Sequence, residues 1–331
     1  MASFVNRRRA IGILAAASGL SLVPFGSAVA VPAHAVDWRG QALGAPAELR
    51  IHHHDRAHAQ ALVEQVAAEV RRLERIFSLY REDSILVSLN RQHSLVAPPE
   101  ELVDLLAKCR GYWTLSEGAF DPTIQPLWSA YQRHFSVPDA DATGPSDRVL
   151  REARSKVGFD RVVFSRDRIE LAAGMALTLN GVAQGYITDR IVTLLRAGGI
   201  GSCLVDMGEC RAVGMRPDGN GWQVAIADPD DAGRQLAVLD VVDRAVATTS
   251  PSGFHFDSNG RFNHLLDPRT GLPAHRYRSL TVVAVEAADA DALSTAFSLM
   301  DTASIAAAAK KIGRIDVRIA QVGGPELVMQ T

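Results

Sequence analysis

Basic residues are nowhere in surplus in this chain, and that alone removes a class of partner. Its 331 residues hold 35 Lys and Arg against 37 Asp and Glu, a formal net charge of −2. Outside Arg7-Arg8-Arg9 no basic block occurs, so the electrostatic footprint that nucleic acid requires is missing. The nucleotide signatures are missing as well. There is no G-x-x-x-x-G-K-[ST], and Gly199-Ile200-Gly201 does not continue into G-x-G-x-x-G, which leaves a P-loop or Rossmann turn unsupported. No H-E-x-x-H occurs. Cysteine is scarce: Cys109, Cys203 and Cys210 are all there is, and an odd number argues against a disulfide framework. Buried free thiols are expected, although Cys203 and Cys210 could meet across a hairpin. No apolar run reaches the roughly 20 residues of a membrane-spanning helix.

What is present is ordinary globular material, 47% hydrophobic and 22% charged, with ample substance for a core. The N-terminus reads as an export signal. Arg7-Arg8-Arg9 precedes a mild apolar run, Ala10 to Val23, broken by Pro24, and two small-residue cleavage sites follow, Ala28-Val29-Ala30 and Ala33-His34-Ala35. Adjacent arginines favour the twin-arginine translocase and a periplasmic destination. Residues 1–35 are thus expected to be the signal and 36–331 one domain.

Hydrophobic spacing organises the remainder. Ala47 to His53 reads as a strand, and Leu62, Val66, Val70, Leu73 and Ile76 form the stripe of a helix from Arg56. Pro98-Pro99-Glu100-Glu101 opens a second helix with proline and acids in its first turn. Leu150 to Val157 reads as helical, Val162 to Phe164 and Arg168 to Leu171 as a hairpin, and Leu177 to Asn180 as a strand. That strand leads into a helix over Tyr186–Arg196, stopped by Gly198-Gly199. The C-terminal part is strand-rich, with helices over Ala290–Met300 and Ala303–Lys311 and a closing strand, Asp316 to Val322. Together these predict an α+β fold with mixed or antiparallel sheets flanked by helices.

Two pieces carry chemistry. In Asn263-His264-Leu265-Leu266-Asp267-Pro268-Arg269-Thr270-Gly271, a histidine ends an apolar strand and a turn locks the chain behind it. Asp267 opens that turn, Pro268 presets its φ, and Gly271 is free to adopt positive φ. In Ala290-Asp291-Ala292-Leu293-Ser294-Thr295, Asp291 and Thr295 stand four apart, which stacks both oxygens on one helix face. Hard oxygen ligands suit Mg²⁺, which keeps water and binds through a carboxylate and substrate phosphate. Gly181 could add a carbonyl, and the N-terminus of the following helix could face a diphosphate. Each piece also has a structural reading: a helix cap and hydroxyl for the pair, a backbone-bonded imidazole for His264. His52-His53-His54 with His58 is either a metal cluster or a run exposed at a strand end.

Seven blocks in order resemble one family: Phe77-Ser78-Leu79-Tyr80 to Asn90, Gly118-Ala119-Phe120-Asp121-Pro122-Thr123, Asn180-Gly181-Val182-Ala183-Gln184-Gly185-Tyr186, Val205-Asp206-Met207-Gly208, Ala247-Thr248-Thr249-Ser250, and the His264 and Asp291 pieces. They follow the pattern of ApbE-type FAD:protein FMN transferases, in an exported branch, over about Leu43 to Met300. The resemblance implies FAD as substrate, Mg²⁺, and transfer of FMN to a Ser/Thr hydroxyl of an acceptor flavoprotein with AMP released. A membrane-bound electron-transfer subunit with a periplasmic FMN-binding domain is the expected acceptor. By position, Leu43, Tyr80, Ala119, Phe120, Asp121, Thr178, Gln184, His264 and Leu265 would meet the flavin nucleotide. Gly181, Asp291 and Thr295 would hold the metal. His264 is the expected base, with Asp267 supporting the turn that aims it, and Asp206 is a second candidate. Thr178 stands where the family usually has Asp, Gln184 where it has Lys or Glu, and Leu43-Gly44-Ala45 replaces Met-Gly-Thr. Two other functions stay open at this point: an FAD pyrophosphatase using water, and a periplasmic FAD-binding carrier without catalysis.

Overall fold

In the computed structural model, residues 20–22 and 34–331 are described; the arginine motif and both cleavage motifs up to residue 33 lie outside them. The chain opens with a short strand β1 (Leu20–Leu22) and a hairpin, β2 (His34–Ala42) and β3 (Ala45–His53). Only the second strand of that hairpin is foreseen by the sequence pattern. Leu43 and Gly44, both at positive φ (51° and 86°), make the two-residue turn between them, as the right-handed twist of paired strands demands.

Helix α1 (Arg56–Phe77) then buries Leu62, Val66, Val70, Leu73 and Ile76, with Asp55 capping it through a 3.0 Å bond from His58 N. A short helix α2 (Ile85–Gln92), capped by Ser84, leads to β4 (Ser94–Val96) and α3 (Glu100–Leu115). Next come α4 (Gln125–Phe135), α5 (Asp147–Arg154), and strands β5 (Val163–Phe164) and β6 (Arg168–Glu170). The expected strand at Leu177–Asn180 is a loop. Its polar groups are bonded elsewhere: Asn90 clamps both the N–H and C=O of Leu177, and Thr178 N donates to Pro122 O at 2.7 Å. No ladder is left to make.

Helix α6 (Ala183–Ala197) is followed by β7 (Cys203–Asp206), β8 (Cys210–Val213), β9 (Trp222–Asp228), β10 (Asp231–Val241) and β11 (Ala245–Thr249). The chain closes with β12 (Tyr277–Ala284), α7 (Ala287–Phe297), α8 (Thr302–Ile312), β13 (Asp316–Gln321) and β14 (Leu327–Gln330).

Eight strands form one sheet in the order β14-β13-β12-β11-β8-β7-β3-β2, every pair antiparallel. The α+β expectation holds. Its central strands are apolar on both faces because both faces are covered. Cys203, Val205, Ala245, Ala247, Leu280 and Val282 join the main core under the helices. Their alternating neighbours Leu204, Val246 and Val283 pack on the other side against Trp222, Val224 and Val241 of the β9–β10 ribbon. Period-two alternation thus splits the strands between two cores. The β7–β8 register pairs Cys203 with Val213 and Cys210 with Asp206. The two thiols therefore sit at opposite ends of the hairpin and stay free and buried, as does Cys109. Leu127, Tyr131, Phe262 and Leu266 form a third, aromatic cluster beside the segment that carries His264. Among the described residues no helix is long and apolar enough to cross a membrane.

Candidate active site

The site is built where the start of α6 meets α7. The two helices approach so closely that a Cβ on Gly185 would stand 2.3 Å from Ala287 O, so only glycine fits there. Gly185 N donates to Asp291 Oδ2 at 3.0 Å. That bond fixes one oxygen of the carboxylate at the N-terminus of α6 and leaves the other for a ligand. One turn along α7, Thr295 reaches the loop before α6, where a Cβ on Gly181 would lie 3.1 Å from Thr295 Oγ1 and 3.6 Å from the Phe120 ring. Gly181, Asp291 and Thr295 are therefore brought together, with Phe120 beside them. Burial, with the nearby charge of Asp189 adding, pushes the Asp291 carboxyl up to about 7, against the pull of the Gly185 bond. A carboxylate, a hydroxyl and a backbone segment at a helix N-terminus make an oxygen-only donor set. These residues fit Mg²⁺.

Tyr80 joins the same place: its hydroxyl accepts from Asn180 Nδ2 at 3.0 Å, and the residue is 40% exposed, so its ring remains free to stack. Ala119 and Phe120 are buried, with Phe120 N held by Ser116 Oγ at 3.0 Å.

His264 does not end a strand. An isolated bridge, His255 to Asn263, is all that precedes it, because this backbone bonds elsewhere. His264 N donates to Phe254 O at 3.1 Å, and Leu265 N to Asn263 Oδ1 at 3.0 Å. The imidazole Nδ1 stands 3.2 Å from the same Phe254 carbonyl. A carbonyl only accepts, so Nδ1 carries the proton and Nε2 the lone pair. Burial holds the ring's pKa down to about 4, so it is neutral at pH 7. Asp267 holds the turn behind it, accepting from Arg269 N at 2.8 Å through its side chain and from Gly271 N at 2.7 Å through its carbonyl. Arg269 pairs with Asp267 and donates to Leu299 O at 2.9 Å, which fastens the loop to the end of α7.

The remaining expected positions are placed as follows. The oxygens of Asp121 are engaged within the protein, by Thr123 N at 2.7 Å, Phe159 N at 3.1 Å and Trp113 Nε1 at 3.1 Å. This carboxylate pins its loop. Gln184 is wholly buried with its amide against Gly208, and it is turned from any surface. Leu43 is buried at the β2–β3 turn, its N–H on Glu74 Oε1 at 2.7 Å. Thr178 Oγ1 accepts from Asn180 N at 3.3 Å and helps shape the Gly181 loop. Leu265 is buried in the main core. Asp206 accepts from Gly208 N at 2.9 Å, and burial raises its carboxyl to about 6.

The histidine run gathers no metal set, and among the described residues no cluster of three or more His, Cys, Asp or Glu does. His58 bonds Gly198 O, and His53 bonds the Asp55 backbone. Reading the sequence missed Glu209, which is buried and electrostatically close to Asp291. The signal was available: Glu209 stands three residues after Asp206 in the short turn of the apolar-flanked strand pair from Cys203 to Val213.

The ApbE family model matches residues 43–319. The chain is 34% identical over 265 residues to the FAD:protein FMN transferase of Treponema pallidum, covering 72% of this chain and 71% of that protein. It is 29% identical over 245 residues to the enzyme of the same name from Haemophilus influenzae, with 70% of each chain covered. Among solved structures, the ApbE protein of Thermotoga maritima superposes with a TM-score of 0.78 at 26% identity, over 89% of this chain and 96% of that one. The Pseudomonas stutzeri flavinyl transferase ApbE, in its apo form, gives 0.74 at 26% identity, over 92% and 97%.

Proposed function

This chain belongs to the ApbE family, and from that premise we propose that it transfers FMN from FAD to a Ser/Thr hydroxyl of an acceptor flavoprotein, releasing AMP. The observation that carries the reading is the meeting of Gly181, Asp291 and Thr295 at the start of α6. Gly181, Asp291 and Thr295 are the residues that would hold Mg²⁺, which when bound offsets charge on the diphosphate oxygens.

The protein's own groups do the rest. The half-exposed ring of Tyr80 offers the flavin a stacking face. His264, neutral and with Nε2 unprotonated, accepts the proton of the attacking hydroxyl, while the Phe254 carbonyl fixes its tautomer. The hydroxyl oxygen bonds to the FMN phosphorus as the bond from that phosphorus to the oxygen bridging to AMP breaks. Water competes at about 55 M, so selectivity rests on a docked acceptor whose hydroxyl is held in line.

Incubation with FAD, Mg²⁺ and a candidate acceptor domain tests this by mass spectrometry. The acceptor is expected to gain the mass of one FMN with one AMP released, and Asp291→Asn is expected to abolish both. AMP without labelled acceptor would make the protein a pyrophosphatase; FAD binding with neither product would make it a carrier.

We further propose export through the twin-arginine route to the periplasm, where an electron-transfer flavoprotein would meet it. Arg8-Arg9 and Ala28-Val29-Ala30 support this. Strand β2 begins at His34, so cleavage after Ala30 leaves it whole, whereas cleavage after Ala35 would remove its first two residues.

A further inference from the structure

Behind the site, the interior holds polar atoms that nothing in the protein satisfies. Gln184 is 0% exposed and Glu209 2%. Both amide atoms of Gln184 and the Oε2 of Glu209 are buried without a hydrogen-bond partner. They belong to one place. A Cβ on Gly208, the residue before Glu209, would lie 1.9 Å from Gln184 Nε2, and Gly185, the residue after Gln184, bonds Asp291. Glu209 also feels the charges of Asp291 and Asp206. Arg211 pairs through one terminal nitrogen with Asp189, which in turn accepts from Ala287 N and Ala288 N at the start of α7, while Arg211 Nε is itself buried without a partner; no cation is among the charges that act on Glu209.

Asp206 and Asp291 each accept a backbone N–H, so the bare atoms of this inner face are the Glu209 oxygen and the Gln184 amide. A buried polar group left bare destabilises the fold, and a charged one more so. Native folds rarely leave such atoms bare, and an ordered water or an ion is the usual partner.

We propose that this inner face binds a small alkali cation of the sodium class, ligated by the Glu209 carboxylate and the Gln184 carboxamide oxygen. One carboxylate and a neutral amide suit a single positive charge here, because the inner face has no substrate diphosphate to complete the ligand set that Mg²⁺ would use at Asp291. Its place lies on the Gly208 side of Asp291, and with divalent ions chelated its binding does not require the Asp291 site to be filled.

Thermal unfolding of the full folded protein tests this, with EDTA as its tetramethylammonium salt and constant ionic strength set by choline, sodium or potassium chloride. Sodium is expected to raise the midpoint saturably by roughly 2–4 °C over choline, and potassium by less. Gln184→Lys brings a tethered ammonium to the same place, so its midpoint in choline should match wild type in sodium and no longer respond to sodium. Glu209→Gln should also lose the response. Identical wild-type midpoints in choline and sodium would overturn the proposal, since buried water alone would then satisfy these atoms. A sodium response that survives in either variant would overturn the location.

Discussion

At the scale of the residue, His264 shows how one hydrogen bond sets a chemical role. The Phe254 carbonyl fixes the tautomer, and burial keeps the ring uncharged. His264→Gln should therefore slow acceptor labelling by roughly 10²–10⁴, the usual contribution of a general base, with FAD affinity little changed. A loss of less than tenfold would assign the proton to another group. The same ring carries a pH signature. Its folded pKa, about 4, lies below the unfolded value near 6.5, so between those limits the unfolded chain takes up a proton that the folded chain refuses. Wild-type stability should fall relative to His264→Gln as pH drops from 7 to 5. Urea midpoints of both proteins at the two pH values measure this, and an unchanged difference would mean that the imidazole is solvated.

At the scale of the element, the crossing of α6 and α7 is what makes the site. Three observations share it: Gly185 against Ala287 O, Gly185 N on Asp291, and Asp189 bonding the first N–H groups of α7. Gly185→Ala sets a methyl group against backbone that cannot rotate away. The helices must separate, at a cost of about 1–3 kcal/mol, and Asp291 moves with them. A lower unfolding midpoint together with weaker Mg²⁺ dependence of labelling is the expected pair of effects. An alanine variant with unaltered midpoint and activity would show the crossing to be compliant. The Asp267 turn is a second such element. Its side chain serves its own loop through Arg269, which makes it a positioning residue.

For the molecule as a whole, the sheet is a partition. Helices, the Gly181 loop and Asp291 lie on one face; the β9–β10 ribbon closes the other around Trp222, which is fully buried with its indole N–H on Gly214 O at 3.1 Å. Trp222→Ala should cost about 3–5 kcal/mol and lower the unfolding midpoint, yet leave labelling per folded molecule near wild type, because Phe120, Leu265 and the α7 residues around Asp291 pack in the main core on the other face. Activity lost in proportion to more than the folded fraction would show the two faces to be coupled. The proposed export also belongs to the whole molecule, since the twin-arginine translocase carries folded cargo. Arg8→Lys with Arg9→Lys should leave folded protein in the cytoplasm, and an undiminished periplasmic fraction would dismiss that route.

The sequence by itself determined what repeats at short range. The stripe of α1, the acids that open α3, the glycines that stop α6, and the four-residue spacing of Asp291 and Thr295 are local patterns with local causes. So was the pairing of candidate metal ligands with a turn-bound histidine, because residue type and spacing suffice to state it. The tertiary structure decided everything that depends on which backbone group finds which partner. It turned Leu177–Asn180 into a loop by giving its hydrogen bonds to Asn90 and Pro122. It added β2, α4 and β14, and parted Cys203 from Cys210 by register. Asp121 and Gln184 stand at positions where the resemblance implies nucleotide contacts, and only the fold shows that one side chain is bonded within its own loop and the other sits in the interior. Glu209 escaped notice for the same reason: alternation along a strand says which residues share a face, but only the packing of α6 and α7 over that face says whether an acid there meets water or another acid.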